Sequence, residues 1–207
     1  MKKELPRILI ISRSAWRNDN NTGATLSNLF SEWPSDRVAN VYCRNEDPLN
    51  DICHKYYKIT DEDVLRSILE KKEAGREYCW YENSIETRQI SKNLKRERII
   101  YGFFRNHRFI VLLALRELIW KLGKWKNRSL EMFLKGFCPD IIFFPVYDSF
   151  YMHDILYFCK GISKAKVILF FADDNCSLRQ FSLSPLYWIN RLLFRTKVRK
   201  STTVSEK

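Results

Sequence analysis

Two neighbouring carboxylates are the strongest candidates for chemistry in this sequence. Asp173 and Asp174 come just after the apolar run Lys166–Phe171, which has the composition of a strand buried on both faces. A carboxylate at the end of such a strand can take a proton from a hydroxyl group, hydrogen-bond to a sugar or ligate Mg²⁺. The alternative is a helix-capping pair that binds nothing.

Gly23 marks a second candidate site, because it opens the first predicted helix within the loop Asn20–Thr25. A glycine there, flanked by Thr22 and Thr25, lets the backbone approach a ligand. The free amide groups and the helix dipole favour an anion. The spacing is not that of the G-x-G-x-x-G dinucleotide fingerprint. An ordinary loop with a glycine at the helix start is the alternative.

Tyr147 and Asp148 form a third candidate site, because they follow the apolar run Ile141–Phe144 in the same way. The same choice applies to them, between contact with a ligand and a structural role. His153 lies on the helix predicted over Ser149–Cys159, and its position favours a structural role.

The elements that position these residues alternate between strands and helices. Five apolar runs predict parallel strands that begin at Ile8, Val38, Ile141, Val167 and Thr202. Amphipathic segments between them predict helices on both faces of a mostly parallel sheet, an α/β fold. Ligands of such sheets bind beyond the carboxyl ends of the strands. Those ends are the loops Arg13–Gly23, Pro145–Ser149 and Ala172–Ser177.

Local signals predict three further elements. A short strand is expected over Tyr56–Ile59. The next helix has Thr60 as N-cap and Asp63 at the third helical position. A basic amphipathic helix begins at Pro185. Residues 71–92 show no clear pattern.

Composition excludes several classes of protein. A chain of 207 residues that is 45% hydrophobic is able to bury a core, which excludes a disordered protein. The six cysteines contain no C-x-x-C pair and there are three histidines, so neither a zinc site nor a disulfide framework is expected. No apolar run approaches the roughly 20 residues that span a bilayer. The N-terminus also lacks the features of a signal peptide.

The net charge of +12 is concentrated in residues 88–135, which are predicted to be largely helical and hold thirteen Lys and Arg against three acids. Leu, Ile, Phe and Trp alternate with these charges, which suits the surface of an anionic membrane. A helix that packs on the sheet and leaves its charges in water is one alternative. A nucleic-acid-binding surface is the other. The predicted membrane-surface residues are Arg105, Arg108, Lys121 and Lys124.

Four segments resemble the N-terminal domain of GT-B fold glycosyltransferases, of the family 4 type that builds bacterial polysaccharides. Arg7–Ser12 followed by Thr22–Leu26 is similar to the first strand and Gly-containing loop of that family. Pro139–Ile142 resembles its Pro-Asp strand, and Val167–Asp174 the strand that ends in acidic residues at the cleft. Thr202–Lys207 resembles the last strand of the domain.

The resemblance implies a Rossmann-like three-layer domain, one half of a two-domain enzyme. Such an enzyme transfers a sugar from a nucleotide sugar to a glycan or a lipid-linked acceptor. Residues 1–207 would form the acceptor-binding domain, with 88–135 as a basic helical insertion. The donor-binding domain would be absent and the isolated chain inactive. No metal, cofactor or nucleic acid is expected, and the predicted location is the cytoplasm, peripherally at the inner face of the plasma membrane.

The resemblance and the strand-end loops together assign roles at the cleft. Ala172 stands about where many relatives have a histidine, which leaves Asp173 as the catalytic candidate. The expected acceptor- or phosphate-binding residues are Thr22, Gly23, Thr25, Tyr147, Asp148 and Asp174. A Rossmann-like binding module without transfer chemistry and a nucleic-acid-binding protein are the alternatives.

Overall fold

The computed structural model describes residues 4–17, 19, 21–79, 110–172 and 185–206. The strands are β1 (Ile8–Ser12), β2 (Val38–Tyr42), β3 (Lys55–Lys58), β4 (Arg76–Cys79), β5 (Ile141–Pro145) and β6 (Lys166–Phe170). The α-helices are α1 (Asn21–Phe30), α2 (Asp61–Leu69), α3 (Ile110–Leu122), α4 (Arg128–Phe137), α5 (Phe150–Ser163) and α6 (Pro185–Glu206). A short 3₁₀ turn over Ser35–Arg37 precedes β2.

The six strands form one mixed, mostly parallel sheet in the order β4-β3-β2-β1-β5-β6. Every pair is parallel except β3 with β4, which is antiparallel. The chain runs outward from β1 to β4 on one side, then crosses back to β5 on the other side of β1. The strand order therefore reverses between β1 and β5, the place where open α/β sheets bind their ligands.

Apolar side chains of β1 alternate between two cores, one on each face of the sheet. Leu9 and Ile11 belong to the larger core, which α4 and α5 complete. Ile8 and Ile10 belong to the smaller one, with Phe30 of α1. Since both faces are covered, a continuous apolar run is the expected sequence for this strand. The predicted strands at Ile8, Val38, Ile141 and Val167 are confirmed as parallel neighbours.

Hydrogen bonds at the helix starts confirm the predicted boundary at Thr60. Its hydroxyl oxygen accepts from the N–H of Asp63, and the Asp63 carboxylate accepts from the N–H of Thr60, which is a capping box. Asn127 caps α4 in a similar way, accepting from the N–H of Leu130 at 2.9 Å. The short strand predicted near Tyr56 is β3.

The strand predicted at Thr202 is wrong, because α6 continues to Glu206. Val198 and Ser201 lie on the buried side of α6, and the helical spacing that buries them continues through the Thr-Thr-Val run. The hydroxyl of Thr202 donates to the carbonyl oxygen of Val198 at 3.1 Å, as helical threonines do. Helical packing against α5 thus outweighs the strand preference of β-branched residues.

Two smaller predictions also need correction. The helix predicted over Ser149–Cys159 is longer than expected, because α5 runs to Ser163 and closes with Lys164 in the left-handed conformation (φ 58°). The strand β4 lies in the segment for which no element was predicted. Within residues 88–135, which were expected to be largely helical, the described helices are α3 and α4.

Candidate functional site

Arg13, at the carboxyl end of β1, reaches across to the loop that follows β5. Its guanidinium forms an ion pair with Asp148 and donates a hydrogen bond to the hydroxyl oxygen of Ser149. The same group lies over the Tyr147 ring, with Cζ 5.0 Å from the ring centroid. These contacts join the two strands between which the sheet order reverses.

Arg116 of α3 approaches the same serine from the other side. Its Nη2 donates to Oγ of Ser149 at 2.8 Å, and its Cζ lies 5.0 Å from the centroid of the Tyr151 ring. Both guanidinium groups therefore stack on a tyrosine and share one hydroxyl acceptor. Stacking and shared bonding hold the two cations in fixed positions.

Arg44 adds a third cation to this edge of the sheet. It follows β2, and its N–H donates to the carbonyl oxygen of Arg13 at 2.9 Å. Its Nη1 donates to the hydroxyl of Ser14 at 3.0 Å. Within the described ranges, no carboxylate lies within ion-pair distance of Arg44 or Arg116. Arg13, Arg44 and Arg116 are called the arginine cluster below.

Two carboxylates near the arginine cluster are already engaged, Asp148 by Arg13 and Glu117 by backbone N–H groups. Burial disfavours the charged form of Asp148, but the charge and hydrogen bond of Arg13 outweigh burial and lower the pKa of this carboxyl. Glu117 of α3 instead caps α5, since its two oxygens accept from the N–H groups of Phe150 at 3.1 Å and Tyr151 at 2.9 Å. Burial raises the pKa of Glu117.

His153 has a structural place, as its position in the sequence indicated. It is fully buried; Nδ1 lies 2.8 Å from Oγ of Ser201 and Nε2 lies 3.1 Å from the carbonyl oxygen of Tyr147. Burial lowers the pKa of His153 to about 4, so the imidazole is neutral near pH 7. Burial also raises the pKa of Tyr147 to about 12, which keeps its phenol protonated.

Of the residues proposed from sequence, Tyr147 and Asp148 lie in contact with the arginine cluster. Gly23 lies inside α1, where a Cβ would overlap the carbonyl oxygen of Arg17. The close approach at Gly23 is thus made by the chain's own loop.

The remaining predicted site residues lie elsewhere. Thr25 is exposed on α1, and only the backbone of Thr22 is described. Asp173 and Asp174 lie outside the described residues, as do Arg105 and Arg108. Lys121 and Lys124 are exposed at the end of α3.

Sequence reasoning missed Arg116 and Glu117 as members of this edge. The signal was present, because this charged pair interrupts the apolar run Ile110–Leu115 and Leu118–Trp120 of α3. Arg13 stood at the start of a predicted functional loop, but its side chain was not singled out.

Metal-ligand groups, bilayer-spanning helices and cavities are the other features of the described residues that could mark a site. No group of three or more His, Cys, Asp or Glu there could hold a metal ion. No helix among them is long and apolar enough to cross a bilayer. Two open depressions, of about 310 and 540 Å³, lie at the opposite, amino edge of the sheet, beside Phe137 and Lys166 respectively. Parallel sheets place their sites at the carboxyl edge instead.

Comparison with known proteins leaves the fold as the firm conclusion. The chain contains one α/β domain with a six-stranded, mostly parallel sheet. No family model matches the chain, and neither a curated protein nor a solved structure is significantly similar to it.

Proposed function

We propose that this chain is the acceptor-binding domain of a GT-B glycosyltransferase, which moves a sugar from a nucleotide sugar to a glycan or lipid-linked acceptor. One observation carries this furthest: Arg13 after β1 contacts Asp148 and Ser149 after β5, at the reversal of strand order. This is where an open α/β sheet binds a polar ligand. Three of the four segments that resemble the family coincide with β1, β5 and β6. The fourth, Thr202–Lys207, is not a strand among its described residues, so it gives no support.

In this proposal, the residues after β5 contact the acceptor and the residues after β6 act on it. The lowered pKa of Asp148 makes it a weak base, so it is suited to accept hydrogen bonds from sugar hydroxyls while it holds Arg13. Tyr147 forms the wall beneath Arg13. Asp173, which follows β6, is the proposed proton acceptor or acceptor-binding carboxylate, with Asp174 beside it.

The proposed location is the inner surface of an anionic membrane. Leucines are exposed on two helices that pack together: 42% for Leu65 and 74% for Leu69 of α2, and 50%, 49% and 62% for Leu115, Leu118 and Leu122 of α3. The packing of α2 beside α3 is fixed by the N–H of Lys124, which donates to Oγ of Ser67 at 2.9 Å. Lys121 and Lys124 accompany the leucines, and basic plus apolar side chains are what an anionic headgroup region attracts.

Ligand-observed NMR tests the acceptor proposal on the chain itself. Saturation transfer should reach the sugar protons of a prenyl-linked glycan, and Asp148→Asn should weaken it. Asp51→Asn is the matched control, because Asp51 is an exposed carboxylate in the loop before β3. A chain that binds no glycan but binds duplex nucleic acid with a steep salt dependence would be a nucleic-acid-binding protein. Undiminished glycan binding in Asp148→Asn would move the acceptor site away from this edge.

A further inference from the structure

The arginine cluster has more cationic charge than its surroundings neutralise. Asp148 pairs with Arg13, and Glu117 is occupied by two backbone N–H groups. Two further carboxylates nearby are also occupied, because Asp61 accepts from Nε1 of Trp120 at 2.6 Å and Glu46 accepts from the N–H of Ala15 at 2.8 Å. Arg44 and Arg116 are therefore left without an acid among the described residues.

Arg13 and Arg116 are half-buried, whereas Arg44 is exposed. Arg13 has a side-chain exposure of 27%, so its charge is partly removed from water. Nε of Arg13 and Nε of Arg116 are buried without a hydrogen-bond acceptor in the described part of the chain. A half-buried guanidinium group without a counter-charge is costly, and an anion that reaches its other donors lowers that cost.

We propose that the arginine cluster binds a phosphoryl group, a phosphate monoester or a diphosphate. The cluster combines three guanidinium groups from two loops and one helix. They offer more donors and positive charge than one ligand carboxylate, with its two oxygens, would need. A phosphoryl group has three or more acceptor oxygens and up to two charges, which matches the forked geometry of several arginines. The inference rests on the proposed function only in identifying the molecule that carries the phosphoryl group. That molecule would be a lipid-linked acceptor or a nucleotide donor.

Calorimetric titration of the full chain with pyrophosphate tests the site directly. Saturable binding is expected, and Arg44→Gln combined with Arg116→Gln should weaken it by about tenfold or more. Arg66→Gln is the control, since Arg66 is an exposed arginine on α2 paired with Glu62. Circular dichroism confirms that each variant is folded. Absence of binding up to about 10 mM pyrophosphate overturns the inference.

Two further titrations identify the class and source of the ligand. Acetate that binds as tightly as pyrophosphate would overturn the phosphoryl assignment. Competition by a short prenyl diphosphate places the group on the acceptor, and competition by uridine diphosphate places it on the donor; either result supports the site. The chain could also bind pyrophosphate, lose that binding in the double variant, and bind no glycan. That result would support the phosphoryl site and contradict the proposed acceptor function.

Discussion

Nδ1 of His153 lies 2.8 Å from Oγ of Ser201, so a buried imidazole joins α5 to α6. Its other nitrogen contacts the carbonyl oxygen of Tyr147, in the loop that carries Asp148. The ring also packs against Phe144 of β5 and Phe194 of α6, with centroids 5.2 and 5.7 Å away. One neutral side chain thus supports the loop of the candidate site from behind.

This contact predicts a loss of stability in mild acid. The pKa of His153 is lowered from 6.5 to about 4 in the folded chain. Between about pH 6.5 and pH 4, His153 is therefore protonated in the unfolded chain but neutral in the folded chain. The free energy of unfolding falls as the pH drops through this window, because protons bind preferentially to the unfolded chain. The loss is on the order of 3 kcal/mol.

Urea denaturation from pH 7 to pH 4.5 measures the effect. His153→Gln should flatten the dependence on pH in this window, whatever its stability at pH 7. Equal slopes in His153→Gln and the wild type would show that His153 is not the responsible group.

Asn127 is expected to be the most important helix cap among those described. Its Oδ1 caps α4 and lies 3.2 Å from the hydroxyl of Tyr57, while its Nδ2 donates to the carbonyl oxygen of Ala74 at 2.7 Å. Asn127→Ala should lower the free energy of unfolding by about 2–3 kcal/mol, since a cap and buried hydrogen bonds are lost together. Thr60→Ala removes a capping box alone and should cost about 1 kcal/mol. Equal midpoint shifts in denaturant would contradict this ranking.

Gly23→Ala separates a structural glycine from a ligand-binding one. Because an added methyl group would overlap the backbone of Arg17, the variant should lose about 1–3 kcal/mol of stability without any ligand present. Gly161→Ala is the control, since the rest of the described structure leaves open space around its added methyl and the helix should gain about 0.5–1 kcal/mol. A fully stable Gly23→Ala chain would return this glycine to the ligand-binding hypothesis.

Binding to anionic vesicles should depend on the charges predicted from sequence. Replacing Lys121 and Lys124 with Gln removes two charges beside the exposed leucines, and each is worth about 1 kcal/mol near an anionic surface. Co-sedimentation with anionic vesicles should fall accordingly, and further when Arg105 and Arg108 are also replaced. Salt should weaken the binding of the wild type.

The charge-matched control replaces Lys164 and Lys166, which are exposed at the amino edge of the sheet. It should sediment like the wild type. Equal sedimentation with neutral and anionic vesicles would leave these lysines as solvated charges on a packed helix.

Asp173→Ala should lower sugar transfer by an enzyme that contains this domain while the melting temperature stays nearly unchanged. A carboxylate that acts on the acceptor hydroxyl contributes to the rate rather than to packing. Activity assays and thermal melts of the same preparations measure both. A large fall in melting temperature with normal activity per folded molecule would assign Asp173 to structure.

The sequence predicted the central strands well because their burial is continuous. The strands that begin at Ile8, Val38 and Ile141 are covered on both faces, as expected for a parallel sheet between helices. The apolar composition of the edge strand β6 also predicted it correctly, although Ile168 is exposed. The strand predicted at Thr202 was wrong because the prediction used only the local strand propensity of Thr and Val. The structure there is decided by the packing of α6 on α5, which a few consecutive residues do not reveal. The edge strand β4, with Arg76 and Glu77 exposed, has no apolar run to detect.

The sequence directs attention to one loop of the candidate site but not to the arginines beside it. Parallel order alone directs attention to the loop with Tyr147 and Asp148. Arg116 and Glu117 could not be placed there, because only the packing of α3 beside α5 brings them to Ser149 and the start of α5. The sequence shows the charged pair as an interruption of the apolar run of α3, but it does not show the partners that the pair contacts across the fold.

The central position of β1 also has a consequence for synthesis of the chain. Its neighbour β2 follows after a single helix, whereas the hydrogen bond from the N–H of Arg7 to Asp140, just before β5, joins residues 133 apart. On the ribosome, β1 therefore pairs with β2 long before β5 emerges, and the growing sheet keeps an open apolar edge meanwhile. Pairings of such sequence separation form slowly. The nascent half-sheet is thus the species in which this protein is most exposed to edge-to-edge aggregation and to capture by chaperones.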